Sequence, residues 1–533
     1  MGLRLRIPDA SAPPGADVET RPPQVERWLS NLPVLNVAAN MQQIRAALHA
    51  LNRHAVAPDT RLRLLETYRP TVDFISGELR NQLKVFSLPL SEKNQRLADE
   101  ERAMHEEMAT GYKLVVMAQQ QHPRADDPDQ VLALQRALRY LASHLLKCYE
   151  YYHPSPEGAW LEIHQLFGHA VALGVADRRI TDAHRPAQPE TVARSYKHAL
   201  LLGLSNPYQQ PFHMVDKVQA FLGRWADLAQ LLSEPRTQKK KCQFLVHPDE
   251  DRPGIPFGQE PDRDGLVLDT RPLVREVHLQ LTALNTGVVP EGGLPADFYD
   301  EMARAMLQRM VVCWGINPIR RFSRSRGEGS CNLAVGVETV NYFLNGEHPF
   351  ELSHLSEKEE IELSSTGASF TRRRVHPDEE SHRSCNWGIV DESACGFGLA
   401  TEQTQACNVR VGDLVAVRTE DGGDWTVGLI RWIRSPGNTR IEAGVQKVAP
   451  SARPVAVSAI QVDGEGDDYR PAVLLPEIPA LQQPRSVIAP KGVYRAERNL
   501  FLDTGDHLLM IRAKRAIEST PSADWFEFEE LEI

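Results

Sequence analysis

The chain has 533 residues, 25% of them charged and 42% hydrophobic, with a formal net charge of −11. That length leaves room for roughly three or four domains with several buried cores, in a composition ordinary for soluble globular protein. The negative balance excludes broad electrostatic adhesion to nucleic acid or to an anionic membrane, so any anion site must be a local concentration of positive charge. Residues 1–23 carry Pro8, Pro13, Pro14, Pro22 and Pro23 among small and charged residues and are expected to be disordered. From 24 to 235 the periodicity is helical. Val131, Leu134, Leu138, Leu141, Leu145 and Cys148 recur three or four apart, as do Leu64, Tyr68, Val72, Ile75 and Leu79, with Pro70 expected to kink or divide that second helix. Further helices are predicted from Ser91 to Gln121, Ala159 to Leu173, Glu190 to Leu204 and Met214 to Leu232. Together they form an all-α array of hairpins without a fixed repeat period.

The texture changes after Lys241. Residues 236–315 read as a small β region with a linking helix. Cys242–Val246 and Gly265–Leu268 look like strands, and Val277–Leu281 alternates apolar and polar residues as a half-buried strand does. A helix is expected from Ala296 to about Val312. Residues 316–450 read as a β domain with strand candidates Leu333–Val337, Thr339–Leu344, Val411–Val417, Trp425–Ile433 and Ile441–Val448. Gly422-Gly423 and Pro436-Gly437 mark hairpin turns between the last three, and a polar insertion occupies about 346–383. Residues 451–533 form a last β domain, with strands at Val455–Val462, Ala472–Leu475, Val487–Ala489 and His507–Ile511. The predicted fold class is therefore α+β multidomain: a helical array followed by small antiparallel β-barrels.

Two segments suit a shared anionic ligand. Arg320-Arg321-Phe322-Ser323-Arg324-Ser325-Arg326 places four arginines in seven residues. A guanidinium is permanently charged, binds phosphate or the O6/N7 edge of guanine bidentately, and stacks on bases. Arg320 and Arg324 are four apart and can reach one ligand from a turn. Downstream, Asp391-Glu392-Ser393-Ala394-Cys395-Gly396 forms a DxSxxG pattern at a strand end. Asp391 and Ser393 alternate onto one face, the first able to orient an arginine or accept a base N–H, the second to donate to a phosphate. Gly396 is expected to supply the positive φ of a sharp turn and to allow close backbone approach.

On these residues, the region from Arg320 to Val448 resembles the PilZ domain, the bacterial receptor module for cyclic di-GMP. Arg320 and Arg324 match its RxxxR motif, and Asp391, Ser393 and Gly396 match its [D/N]xSxxG motif. Gly412-Asp-Leu-Val415, Gly428–Trp432 and Ala443-Gly-Val445 look like the strands that follow in such domains. The resemblance implies that the two arginines, with Arg321 beside them, clamp guanine and phosphate while Asp391 and Ser393 contact a guanine and its neighbours. The departure is the spacing: 66 residues separate Arg324 from Asp391, more than the compact family pattern. A second RxxxR, Arg271–Arg275, lies upstream.

Other constellations point nowhere specific. His376, His382, Cys385 and Cys395 fit no zinc-knuckle spacing, and Cys395 reads as a small buried residue. His105-Glu106 lacks the second histidine of HExxH, because position 109 is Ala. Gly396-Phe397-Gly398 lacks the last glycine of a dinucleotide fingerprint, and no nucleophile has an attendant base, so no catalytic residue, metal or cofactor is expected. Seven cysteines, Cys148, Cys242, Cys313, Cys331, Cys385, Cys395 and Cys407, without a dense framework predict reduced thiols in a cytoplasmic protein. Residues 1–7 lack a signal-peptide core, and no run reaches the roughly 18 apolar residues of a membrane helix. The expected function is a cytoplasmic effector whose ligand, cyclic di-GMP, clamps the arginine segment onto the barrel and reorients the helical domain. That domain presents the surface for a protein partner, with no DNA binding and no membrane insertion. The competing reading is a scaffold that uses helical array and barrels for protein contacts without nucleotide.

Overall fold

The computed structural model describes residues 3–531 apart from 14–17, 34–35, 83–86, 121–126, 183–189, 233–240, 260–264, 291–293, 317–323, 353–381, 450, 461–467 and 480–482. The chain divides into two compact units, one of residues 1–86 and 90–319, the other of 87–89 and 320–533.

The first unit opens with eight helices: α1 (Pro22–Ser30), α2 (Val37–Leu51), α3 (Pro58–Gln82), α4 (Glu92–Gln120), α5 (Pro128–Glu150), α6 (Ala159–Ala172), α7 (Val192–Gly203) and α8 (Met214–Trp225). The α5 stripe from Val131 to Cys148 is buried along its whole length, and the Asp127 side chain caps the helix by accepting from the Asp129 amide at 3.0 Å. Pro70 does not divide α3, which continues through it. Val72, Ile75 and Leu79 beyond the proline are all buried. At about 1.5–3 kcal/mol each, they outweigh the roughly 3 kcal/mol a helical proline costs. Several charges inside the array are paired. Arg69 meets Asp182 at 2.8 Å, and Lys147 meets Glu101 at 3.0 Å and Glu150 at 2.7 Å. His105, bonded to Ser76 at 2.9 Å, is pushed down to about 4 by burial. The N-terminal residues also depart from expectation. Residues 3–6 alternate between buried and exposed rather than being shapeless, with Leu3 and Leu5 buried, and Ala12 is bridged to His54. The alternation Leu3-Arg4-Leu5-Arg6 gives this segment one apolar edge, which the prolines around it obscure.

A four-stranded sheet follows, formed by β1 (Gln230–Leu232), β2 (Gln243–Val246), β3 (Ile255–Pro256) and β4 (Leu266–Asp269) in the order β1-β4-β2-β3. The predicted strand at Val277–Leu281 is instead the middle of α9 (Arg271–Asn285). Its buried residues Leu273, Val277, Gln280 and Leu284 recur three and four apart, and that longer period overrides the local alternation. The helix α10 (Glu301–Val311), capped by Asp300, follows and runs on into a π-helical turn, Val312–Ile316.

The second unit holds two closed six-stranded barrels. The first contains β5 (Ser325–Arg326), β6 (Ser330–Val335), α11 (Val337–Leu344), β7 (Ser384–Ser393), β8 (Gly396–Glu402), β9 (Leu414–Thr419), β10 (Thr426–Arg434) and β11 (Arg440–Ala449). Its order is β7-β6-β9-β10-β11-β8, with β8 returning to β7 and β5 extending the β6 side. The expected strand at Thr339–Leu344 is α11. Gly336 turns the chain at φ 94°, and Val337, Val340, Asn341 and Phe343 share its buried face. The second barrel comprises β12 (Arg453–Ala459), β13 (Arg470–Leu475), β14 (Ser486–Pro490), β15 (Asn499–Asp503), β16 (Leu508–Ser519) and β17 (Ala523–Leu531), in the order β12-β13-β14-β17-β16-β15. One core runs between the barrels. Val340 and Phe343 lie with Leu414 and Val427 of the first and Val473 and Ile488 of the second. The buried Asn341 amide donates to the carbonyls of Val455 and Ala472 at 2.9 and 2.7 Å, which satisfies it and fixes helix to barrel. The thiols are not all reduced: Cys385 on β7 and Cys407 form a disulfide. Cys395 is exposed rather than buried, because it sits at the tip of a hairpin.

Candidate functional site

The DxSxxG residues form the hairpin between β7 and β8. Ser393 pairs with Gly396 across the two-residue turn Ala394-Cys395, and the Ser393 hydroxyl reaches the Gly396 carbonyl at 3.4 Å. Gly396 is not in the left-handed region. Its glycine is required by contact, since a Cβ there would lie 2.3 Å from the Val445 carbonyl oxygen on β11. Of the two expected reasons for this glycine, close approach holds and positive φ does not. Below the turn, Lys447 donates to Glu392 at 2.7 Å and lies 4.1 Å from the Phe397 ring centre, fixing the hairpin against β11.

Asp391 meets the arginine segment. Its two carboxylate oxygens accept from Nη1 of Arg324 at 3.0 and 2.9 Å. The long spacing between these residues is immaterial because β5 pairs with β7, Ser325 opposite Glu392 and Arg326 opposite Asp391. Register, not sequence distance, delivers the arginine. Both side chains remain accessible, at 37% for Arg324 and 28% for Asp391. An ion pair this exposed contributes only about 0–1 kcal/mol, so a ligand can replace either partner at little cost. Arg320 and Arg321 lie outside the described residues.

The ladder extends the site to residues the motif does not contain. Asp391 stands opposite Gly398, Gly398 opposite Gly444, and Gly444 opposite Trp432, a row across β7, β8, β11 and β10. A Cβ on Gly398 would strike the Asp391 carboxylate at 2.7 Å, and one on Gly444 would lie 1.9 Å from the Trp432 ring nitrogen. The carboxylate therefore leans over one glycine and the indole over the other. Neighbouring strands are about 4.8 Å apart, so the row spans roughly 14 Å. The bed it makes across the barrel wall has acid and guanidinium at one end and an indole at the other. Gly398, Gly444 and Trp432 escaped the sequence reading. The available signal was glycine inside a strand, which marks close approach of another group. Among the described residues, no cluster of three or more His, Cys, Asp or Glu side chains suits a metal ion. Of the residues weighed for zinc, Cys385 is held in the disulfide and His376 lies outside the described residues.

Comparison with known families covers nearly the whole chain. Residues 23–236 match the N-terminal domain of the cyclic-di-GMP receptor FimW, residues 243–376 and 355–454 its middle PilZ domain, and residues 455–531 its C-terminal beta-barrel domain. The middle region of the chain carries a PilZ domain. It is 27% identical to the cyclic-di-GMP receptor FimW of Pseudomonas aeruginosa, over 99% of this chain and 94% of that protein. The PilZ match takes in both halves of the site, from Arg324 to Asp391 and on to Trp432 and Gly444. It also reaches upstream of the barrel to the sheet and helices α9 and α10. The second RxxxR belongs there, on the first turn of α9, where Arg271 is paired with Asp269 in the other unit.

Proposed function

We propose that this chain is a receptor for cyclic di-GMP, a non-enzymatic effector that reads the ligand on the outer face of its PilZ barrel. The observation that carries the reading is the Arg324–Asp391 pair standing beside a glycine-floored strip that ends at Trp432. Guanine presents adjacent N–H donors that a carboxylate can accept together, which fits Asp391. Its O6/N7 edge and the two phosphates suit the guanidinium groups of Arg320, Arg321 and Arg324. Ser393 offers a hydroxyl at the turn. With no side chain on Gly398 or Gly444, the Asp391 carboxylate and the Trp432 indole lie close against the strands, and the indole offers a base a stacking partner. With a net charge of −11, the attraction is confined to this arginine segment. The relative's description as a cyclic-di-GMP receptor supports the same reading.

The boundary between the two units falls at Ile319–Arg320, so a ligand that draws the arginine segment onto the barrel constrains the helical unit as well. This is a hinge-type switch in which the helical unit presents its output surface to a protein partner in the cytoplasm, without DNA binding or membrane insertion. No helix among the described residues is long and apolar enough to cross a membrane. Calorimetric titration of the full chain with cyclic di-GMP tests the binding. The expected affinity is tens of micromolar or tighter, about 6 kcal/mol or more, abolished in an Arg320→Ala/Arg324→Ala double variant. Absence of heat and of any thermal shift would remove the receptor reading, and binding retained in the double variant would remove the arginine clamp. Spin-label distances between the two units, measured with and without ligand, test the switch separately: an unchanged distribution would leave a receptor without reorientation.

A further inference from the structure

The extended segment 3–6 is held in a way that a helix holds a peptide. Its leucines alternate inward, Leu3 and Leu5 each below a tenth exposed, while Arg4 and Arg6 face out. The backbone amides of the two arginines are caught by side chains one helical turn apart on α6. The Arg4 amide donates to Gln165 Oε1 at 2.8 Å, and the Arg6 amide donates to Glu162 Oε1. Amides two residues apart on an extended chain are about 6.8 Å apart, a spacing that side chains at i and i+3 of a helix can match. The Arg6 guanidinium donates to the Glu157 carbonyl and lies over Gly158, where a Cβ would be only 2.9 Å from it. Every polar contact is to backbone or to a long basic side chain, so the surface reads a pattern rather than a unique sequence.

The surface does not need this occupant to satisfy its charges. Glu162 is independently paired with Lys113 at 2.9 Å, and the α6 N-terminus is capped by Asp251, which accepts from the amides of Gly158 and Trp160. We propose that the α6 face of the helical unit is a clamp for an extended peptide of the pattern apolar–any–apolar–basic, and that residues 3–6 occupy it as a displaceable internal competitor. The partner is a segment of another protein, gripped by its main chain and selected by two apolar side chains two apart with a basic residue after them. Displacing the strap leaves α6 folded and frees the N-terminal segment.

The test uses a fluorescent synthetic peptide of residues 2–10, GLRLRIPDA, as probe. It is added to the full chain and to chains either lacking residues 2–13 or carrying Leu3→Asp/Leu5→Asp. The two altered chains should bind the peptide. The full chain should bind about tenfold more weakly, because a short tether presents the internal strap at roughly millimolar effective concentration. A peptide with both leucines replaced by aspartate should not bind, and Gln165→Ala in the truncated chain should weaken binding about fivefold. Absence of peptide binding to folded, altered chains overturns the proposal. So does loss of the helical unit's melting transition in both altered chains, which would make the segment part of the core. A concentration-dependent dimer of the full chain that disappears on truncation would make the occupant a second copy and overturn the partner reading as well.

Discussion

The two barrels of the second unit close with the same number of strands, yet their outer faces are built on opposite terms. The PilZ barrel carries five glycines inside its strands, Gly388, Gly396, Gly398, Gly428 and Gly444, all on the neighbouring strands β7, β8, β10 and β11. The C-terminal barrel has no glycine in any of its six strands. Its outer surface is filled by self-neutralising pairs: Lys514 with Glu529 at 2.9 Å, Arg515 with Glu527 at 2.6 Å, and Arg512 with Glu529 at 3.4 Å. A strand glycine costs about 0.5–1 kcal/mol relative to alanine. Five on adjoining strands are a sustained loss of stability, and at Gly398 and Gly444 the space left is taken by Asp391 and Trp432. The difference teaches that one barrel gives up strand stability to seat two side chains close against its wall, while the other covers its wall with ion pairs.

The largest expected effect tests that difference directly. Alanine at position 398 removes the strand cost of glycine, so where space is free it should stabilise the barrel. Here the added Cβ meets the Asp391 carboxylate, an accessible side chain that can swing aside and abandon Arg324. Gly398→Ala should therefore leave the melting temperature unchanged or slightly raised. Affinity for cyclic di-GMP should fall about 10- to 100-fold, the 1.5–3 kcal/mol carried by a hydrogen bond to a charged group. Calorimetry with a parallel thermal melt separates the two. A variant that loses stability and keeps affinity would show that the glycine serves packing alone, and would erase the contrast between the barrels.

How much of this was legible in the chain depended on whether local pattern and fold agreed. The DxSxxG hairpin and the arginine segment stood out because turn residues and clustered charge are local signals, and the strands after Val411 followed plain alternation. The helix α11 did not, because Val337, Thr339, Val340, Tyr342 and Phe343 are all favoured in strands. Only the shared core between the barrels, which takes Val337, Val340 and Phe343 from one face, makes a helix of them. Segment Val277–Leu281 misled in the same manner. Trp432 and Gly444 join Asp391 only through pairing register, which spacing along the chain does not reveal. The disulfide partners, 22 residues apart, are likewise brought together by the barrel.

A smaller effect is expected at the far end of the bed. Trp432 lies on a glycine that no other residue could replace without displacing the ring. Base stacking on an aromatic side chain contributes about 1–3 kcal/mol. Trp432→Ala should weaken cyclic di-GMP about tenfold while leaving the arginine contacts in place, and ligand should quench tryptophan emission in the parent chain more than in the variant. Equal affinity in both chains would confine the site to the Asp391 end and shorten the bed to a single contact point.

The smallest effect belongs to the C-terminal barrel. Arg515 is 76% exposed and paired with Glu527 on the adjoining strand. A pair this open is worth about 0–1 kcal/mol, because water and salt screen it and two long side chains lose freedom to form it. Arg515→Ala should shift chemical-denaturation stability by about 0.5 kcal/mol or less and leave nucleotide affinity unchanged. If this substitution instead weakened cyclic di-GMP as much as Trp432→Ala, the paired surface of the second barrel would be part of the binding machinery. The division of labour between a receptive barrel and a closed one would then have to be abandoned.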